Sequence, residues 1–357
     1  MKPAGPRKGR GASIEPPPRY LGVSRESFDD GWPDGTPEPP PLKTTVTWEQ
    51  AKSLINTNQS PDIPFEQSVN PFRGCEHGCI YCYARPAHAY VDLSPGLDFE
   101  SRLFAKADAA ALLRRELSAA SYRCSPIALG GNTDVYQPIE RRLRVTREIL
   151  EVLAAANHPV TIVTKSALVA RDLDLLAPMA APGLTQVFLS VTTLDNTLSR
   201  LMEPRAAAPR RRLETIARLA EAGVPVGVMF APVIPALNDH ELEAVLARAA
   251  EVGARYAGYV VLRLPREVNP LFQAWLEEHY PLRAARILAR VRDLRGGKDY
   301  DATFGERLTG TGTFAQLVRA RFQRACREHG LNRSDHRLDT SQFLPPRLDG
   351  QLDLFVS

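Results

Sequence analysis

The stretch NPFRGCEHGCIYCYARP, residues 70–86, crowds three of the chain's five cysteines, Cys75, Cys79 and Cys82, into eight positions. A disulfide framework uses thiols in even numbers, and a structural zinc site closes with four ligands. The spacing C-x3-C-x2-C has no fourth cysteine beside it. An open set of three thiolates therefore frames the reading of everything around it.

The 357 residues are 44% apolar, enough for one large core or two modest ones. No run of eighteen apolar residues occurs, so no membrane span is expected. The first residues, MKPAGPRKGRGAS, are basic with no apolar stretch behind them, which argues against a secretory signal and for a cytoplasmic protein. In reducing cytosol, clustered thiols point to metal binding or catalysis rather than crosslinking. A net charge of +4 is too small to diagnose nucleic-acid binding. Its distribution is uneven: residues 281–333 hold twelve Lys or Arg against five Asp or Glu, a face that either meets phosphates or is ordinary solvated helix.

Residues 1–42 form an arm, basic at its start, with ten of the thirty prolines and few large apolar groups, and are expected to be disordered. Beyond them, short β-branched runs recur at 69–74, 126–131, 159–164, 186–191, 224–230 and 258–263, the texture of buried parallel strands. Helical stretches fill the gaps at 105–120, 138–156, 209–223 and 238–253. Alternation of this kind implies successive βαβ units. Eight units close a full barrel of about 250 residues. Six imply an α/β partial barrel, (β/α)6, over 43–265, with an open doubly wound sheet as the fallback. A C-terminal helical extension over 266–332 and a flexible tail over 333–357 complete the expected organisation.

Thiolates suit zinc, copper(I) or iron–sulfur clusters. Cys75, Cys79 and Cys82 follow the first strand, on the rim that carries function in parallel α/β folds. Three thiolates leave one iron of a cubane open, whereas electron-transfer clusters take four. The other reading is a zinc site closed by His77 or His88.

With Tyr81 immediately before Cys82, the motif C-x3-C-x-aromatic-C resembles the signature of the radical S-adenosylmethionine (SAM) superfamily. The longer text NPFRGCEHGCIYCYARPAHAY (70–90), followed by DLSPGLDFESRLFAK (92–106), is similar to the branch grouped with spore photoproduct lyase and called DNA repair photolyase-like. The resemblance extends from about residue 43 to 330. It implies that Cys75, Cys79 and Cys82 hold a [4Fe–4S] cluster, with SAM on the open iron. It places Tyr81 against the adenine, and Gly130, Gly131 and Asn132 of GGNTD where the superfamily has a glycine-glycine-acid motif for the SAM amino group. Asn132 departs from that motif, since an amide replaces the acid. Lys165 in VTKS would meet the SAM carboxylate and Ser190 the ribose or carboxylate, with Arg205 a further candidate. The implied chemistry is reductive cleavage of SAM to a 5′-deoxyadenosyl radical that abstracts hydrogen from a substrate. The implied partner is a flavodoxin- or ferredoxin-class reductant.

Spore photoproduct lyase returns hydrogen from a cysteine near its second strand, but ALGGNTDVYQP (128–138) contains none. Cys124 and Cys326 read as inert, and Tyr136 is an alternative hydrogen relay. The expectation is therefore a radical SAM enzyme of nucleic-acid repair or modification, not lyase activity of the spore type. Radical modification of a protein or small molecule is the competing class, and a non-catalytic adaptor is the third. At the C-terminus, Gln351, Leu352, Leu354 and Phe355 in QLDLF resemble the pentapeptide by which bacterial repair proteins dock to the DNA sliding clamp. The other reading of that segment folds it back onto the barrel.

Overall fold

The computed structural model describes residues 7–20, 42–335 and 337–347. In chain order, β1 (Thr45–Glu49) precedes a hairpin of β2 (Ile55–Thr57) and β3 (Gln67–Val69), then β4 (Phe72–Arg73). The cysteine loop leads to α1 (Leu97–Ser101), β5 (Arg102–Lys106), α2 (Ala109–Leu117) and β6 (Ile127–Leu129). Next come α3 (Glu140–Leu143), α4 (Val145–Ala155), β7 (Val160–Thr164), α5 (Leu173–Ala180) and β8 (Thr185–Ser190). They are followed by α6 (Asn196–Met202), α7 (Pro209–Glu221), β9 (Val226–Val233), α8 (Leu242–Glu251) and β10 (Tyr256–Val261). The last helices are α9 (Val268–His279), α10 (Pro281–Asp293) and α11 (Gly312–His329).

The main sheet runs β10-β9-β8-β7-β6-β3-β2, and every neighbouring pair from β3 to β10 is parallel. Spatial order thus follows chain order with no reversal. A doubly wound sheet reverses at a switch point, so this arrangement is the partial barrel and the fallback is set aside. The strands bury one face fully against the helices: Val160, Ile162, Val187, Leu189, Val226 and Val228 lie in one core with Ile149, Leu153, Ile216, Leu219, Val245 and Leu246, while Thr161, Val163, Gln186 and Phe188 on the other face are half-buried. A second apolar cluster joins Ile80 of the cysteine loop to Leu271, Phe272, Trp275 and Ile287 of α9 and α10. The C-terminal extension therefore divides. Two helices back the cysteine loop, while α11 packs on α8 and contributes Val318 and Ala325 to the main core.

Five local expectations are corrected. The first barrel strand is 67–69, not 69–74, because Phe72 and Arg73 turn away to pair with β5 in a three-stranded sheet, β1-β5-β4. The helix expected over 105–120 starts only at Ala109, since Leu103 and Ala105 alternate inward as β5 before Asp108 turns the chain. The 138–156 helix is broken at Arg144, where the Glu140 carboxylate accepts the Thr146 N–H at 3.0 Å and starts a new helix. Of the arm expected to be disordered, residues 7–20 are docked on the body: Ser94 Oγ donates to the Pro16 carbonyl at 2.6 Å, and Arg19 pairs with Glu267. Polar anchors supply what its composition lacks. Residues 337–347 of the expected flexible tail also hold the body, through Leu344 N to Ala156 O at 2.9 Å and Phe343 against Tyr122 and His158. Gln351, Leu352, Leu354 and Phe355 lie outside the described residues.

Candidate functional site

The cysteine loop leaves β4 at the rim reached by the C-terminal ends of the parallel strands. Two side chains hold it, Gln137 from the segment after β6 and Arg85 from just beyond Cys82. Gln137 brackets Cys75, donating to Gly74 O at 3.1 Å and accepting from Glu76 N at 2.8 Å. Arg85, fully buried, donates to Cys79 O (2.9 Å), Gly78 O (3.1 Å), Pro95 O (2.9 Å) and Gly96 O (3.0 Å), and pairs with Glu100 at 2.6 Å. Backbone bonds from Gly78 N to Cys75 O and from Cys82 N to Cys79 O curl the loop, and Cys82 packs against the two apolar clusters that hold Cys79 and Cys75. Cys75 and Cys79 are buried and Cys82 is half-buried, and none is in a disulfide. Burial pushes the Cys75 thiol well above its ordinary value, with Asp134 and the other two thiols adding to the rise. Burial raises Cys79 to about 12 and also raises Cys82, against the pull of nearby cations. Thiols so placed are neutral until a metal displaces their protons.

The barrel rim brings several of the expected cofactor residues beside this loop. Lys165, directly after β7, sets its Nζ 5.8 Å from the centre of the Tyr81 ring. Burial opposes its charge, but Cys79 and Glu203 hold its pKa above the ordinary value. Ser190 ends β8, buried, and its carbonyl accepts from Arg212 at 2.9 Å. Gly130 directly follows β6 with φ +88°, and a Cβ there would collide with the Val163 carbonyl of the next strand, so its smallness serves strand packing. Gly131 presents its carbonyl to the Tyr83 hydroxyl, and Asn132 is exposed on the rim.

The acid of GGNTD, Asp134, is committed elsewhere. It accepts from Thr164 Oγ1 and Lys165 N, each at 2.7 Å, and faces His77 Nδ1 at 3.3 Å. Although burial opposes its charge, His77 and these donors hold its pKa down to about 2. Asp134 thus ties the cysteine loop to the end of β7. Tyr81 turns its hydroxyl to a buried hub in which Glu203 also accepts from Thr192 Oγ1 (2.6 Å) and Arg212. Burial opposes the charge on Glu203, yet Arg212 and Lys165 hold its pKa below the ordinary value.

Sequence reasoning missed Glu203, Arg212, Gln137, Arg85 and Glu100. Their partners are far apart in the chain, and the only legible hint was a charged pair, Arg85 and Glu100, inside the conspicuous 70–106 segment. Arg205 is half-exposed and pairs with Glu76 at 3.1 Å. Tyr136 is fully buried and donates to Asp172 at 3.0 Å, which removes it as a hydrogen relay facing substrate. Cys326 is buried in the main core, and Cys124 lies before β6, away from the rim. Of the histidines considered for a zinc site, His77 Nδ1 faces Asp134 at 3.3 Å and His88 Nε2 faces Arg102 O at 3.0 Å.

A parallel partial barrel with three free thiols on its functional rim defines a class, and comparison with known proteins agrees. Residues 69–249 match the Radical SAM superfamily, and this chain belongs to that superfamily. Its cofactors are accordingly a [4Fe–4S] cluster and SAM. It is 38% identical over 254 residues to an uncharacterised protein of Mycobacterium tuberculosis, covering 70% of this chain and 74% of the other. An uncharacterised protein of Methanocaldococcus jannaschii is 26% identical over 233 residues, 65% and 82% of the two chains. Among solved structures, spore photoproduct lyase complexed with dinucleoside spore photoproduct superposes with a TM-score of 0.56 at 15% identity, over 80% of each chain. A variant of that lyase with bound AdoMet and dinucleoside spore photoproduct gives the same values. At that identity the likeness is one of fold. Among the described residues no helix is long and apolar enough to cross a membrane.

Proposed function

We propose that this radical SAM enzyme repairs or modifies nucleic acid, with Cys75, Cys79 and Cys82 as the cluster ligands. The observation that carries the ligand assignment is the convergence of three free thiols with Lys165 on one rim. The donor set fits the group: soft thiolates, three in number, in a buried loop whose carbonyls are already satisfied by Arg85. When bound, the cluster and SAM supply a 5′-deoxyadenosyl radical by one-electron reduction from a flavodoxin- or ferredoxin-class donor. The chain's part is to orient and to exclude water. Lys165 offers a cation to the SAM carboxylate, Ser190 a hydroxyl, and Gly130, Gly131 and Asn132 the rim of β6. Tyr81, held by Glu203, presents its backbone and ring face beneath Lys165.

Nucleic acid as substrate is supported by the exposed arginines Arg283, Arg286 and Arg290 on α10 and Arg319, Arg324 and Arg327 on α11. The segment Gln351, Leu352, Leu354 and Phe355 would tether the enzyme to the bacterial sliding clamp, raising its local concentration at DNA in the cytoplasm. A peptide of residues 347–357 should bind the clamp at about micromolar affinity, roughly −8 kcal/mol, and lose binding with Leu354→Ala and Phe355→Ala. The direct test of the substrate class is anaerobic reconstitution with SAM and reductant, adding damaged duplex, undamaged DNA or RNA in turn. Release of 5′-deoxyadenosine that depends on one of these supports the reading. Release indifferent to all of them, but stimulated by a protein or small-molecule fraction, overturns it.

A further inference from the structure

Residues 7–20 do more than adhere to the surface. Gly11 and Ala12 each donate a backbone N–H to the Glu100 carboxylate at 2.9 Å, one to each oxygen. Glu100 also accepts from Arg85 at 2.6 Å, and both members of that pair are fully buried. Arg85 in turn is the residue whose guanidinium holds the carbonyls of Gly78 and Cys79. Gly11 packs on the Gly78 carbonyl so closely that any Cβ would overlap it. Ala12 lies in the same apolar cluster as Cys79, Ile80 and Tyr81. Arg10 donates to Glu100 O at 2.6 Å and to Thr44 Oγ1 at 3.1 Å, and Thr44 reaches Glu76, the residue after Cys75, at 2.5 Å. Further anchors lie outside the loop: Glu15 accepts from Leu97 N at 2.9 Å, and Arg19 donates to Pro86 O at 3.0 Å.

A buried carboxylate is costly unless its acceptor sites are filled, and here the strap fills two of them. Without it, Glu100 keeps Arg85 but opens to solvent beside Gly78, and the Arg85 guanidinium loses the rigid counter-ion that fixes its fork against the cysteine loop. We infer that residues 7–20 are a positioning strap for the cluster: their docking fixes the conformation of the Cys75–Cys82 loop and seals one side of it against water and oxygen. This rests on the assignment of Cys75, Cys79 and Cys82 as ligands.

The test compares the full chain, a chain starting at residue 21, and Gly11→Val, each reconstituted anaerobically. Iron per chain is counted, then the loss of visible cluster absorbance is followed after exposure to air, well below the thermal midpoint. Both altered chains should bleach several-fold faster than the full chain while keeping its far-UV circular dichroism. A synthetic peptide of residues 7–20 in large excess should slow the bleaching of the truncated chain. Should truncation disturb folding, Gly11→Val alone decides, because it lifts the strap without removing it. Bleaching at the wild-type rate in folded Gly11→Val, or a lowered melting temperature with unchanged bleaching, overturns the strap. If Cys75→Ala keeps the colour, the ligand assignment has failed. If that variant is colourless while Gly11→Val behaves as wild type, the strap alone has failed.

Discussion

Glu203→Ala is the most quantitative perturbation of the rim. Glu203 is the carboxylate paired with Arg212, whose other donors go to Ala207 O (2.6 Å) and Ser190 O (2.9 Å) and whose exposure is 1%. Removing the carboxylate leaves a guanidinium buried with carbonyls as its remaining partners, a loss of about 3–5 kcal/mol. Tyr81 and Thr192 lose an acceptor as well, but these terms belong to one network and do not add in full. A total near 4 kcal/mol is expected. With a urea slope of about 3 kcal/mol/M for a chain of this size, the midpoint of the metal-free protein should fall by roughly 1.3 M. Glu203→Leu combined with Arg212→Met should restore most of the loss, because it removes the stranded charge. The assay is urea unfolding followed by circular dichroism on the three proteins. A shift of less than about 0.3 M for Glu203→Ala, against the 3–5 kcal/mol expected for a broken buried pair, would refute the hub as a buried ion pair.

Lys165→Ala should retain the cluster but weaken SAM binding about tenfold or more, as expected for a lost charge-assisted contact, read by calorimetry; unchanged affinity would remove Lys165 from the pocket. Burial holds His158 down to about 4, so between that value and the unfolded value of about 6.5 the unfolded chain binds the extra proton. Its contribution is therefore complete above about pH 6.5 and lost as pH falls through 4, at up to about 1.4 kcal/mol per pH unit. His158→Phe should flatten that part of a stability–pH profile, and an unchanged slope would contradict the assignment. Binding of single- or double-stranded DNA should weaken steeply with salt; absence of binding at low salt would remove the physical support from α10 and α11.

Much of the architecture was legible because the strands leave short runs rich in β-branched residues, as at 159–164 and 186–191, separated by helical stretches. The cysteine loop was legible because thiol spacing is local. What escaped was the set of contacts that chain separation hides. Gln137 reaches Gly74 and Glu76, on either side of Cys75, across some sixty positions, and Glu203 reaches Tyr81 across 122 positions. The three-stranded sheet escaped for a related reason: β4 has two residues, too few for any period to register. The arm misled by composition. Its prolines and scarcity of apolar groups read as disorder, whereas residues 7–20 are held by hydrogen bonds to Glu100, Ser94 and Leu97 that composition does not encode.

The central claim is that Cys75, Cys79 and Cys82 together hold the cluster. Its most direct measurement is the iron and sulfide content and visible spectrum of protein purified without oxygen, alongside single Cys→Ala variants of all five cysteines. The account predicts a brown protein with about four irons and four sulfides per chain. Colour should be lost in the Cys75, Cys79 and Cys82 variants and kept in the Cys124 and Cys326 variants. A colourless protein carrying one tightly held zinc, or colour that survives loss of Cys75, Cys79 or Cys82, would contradict it.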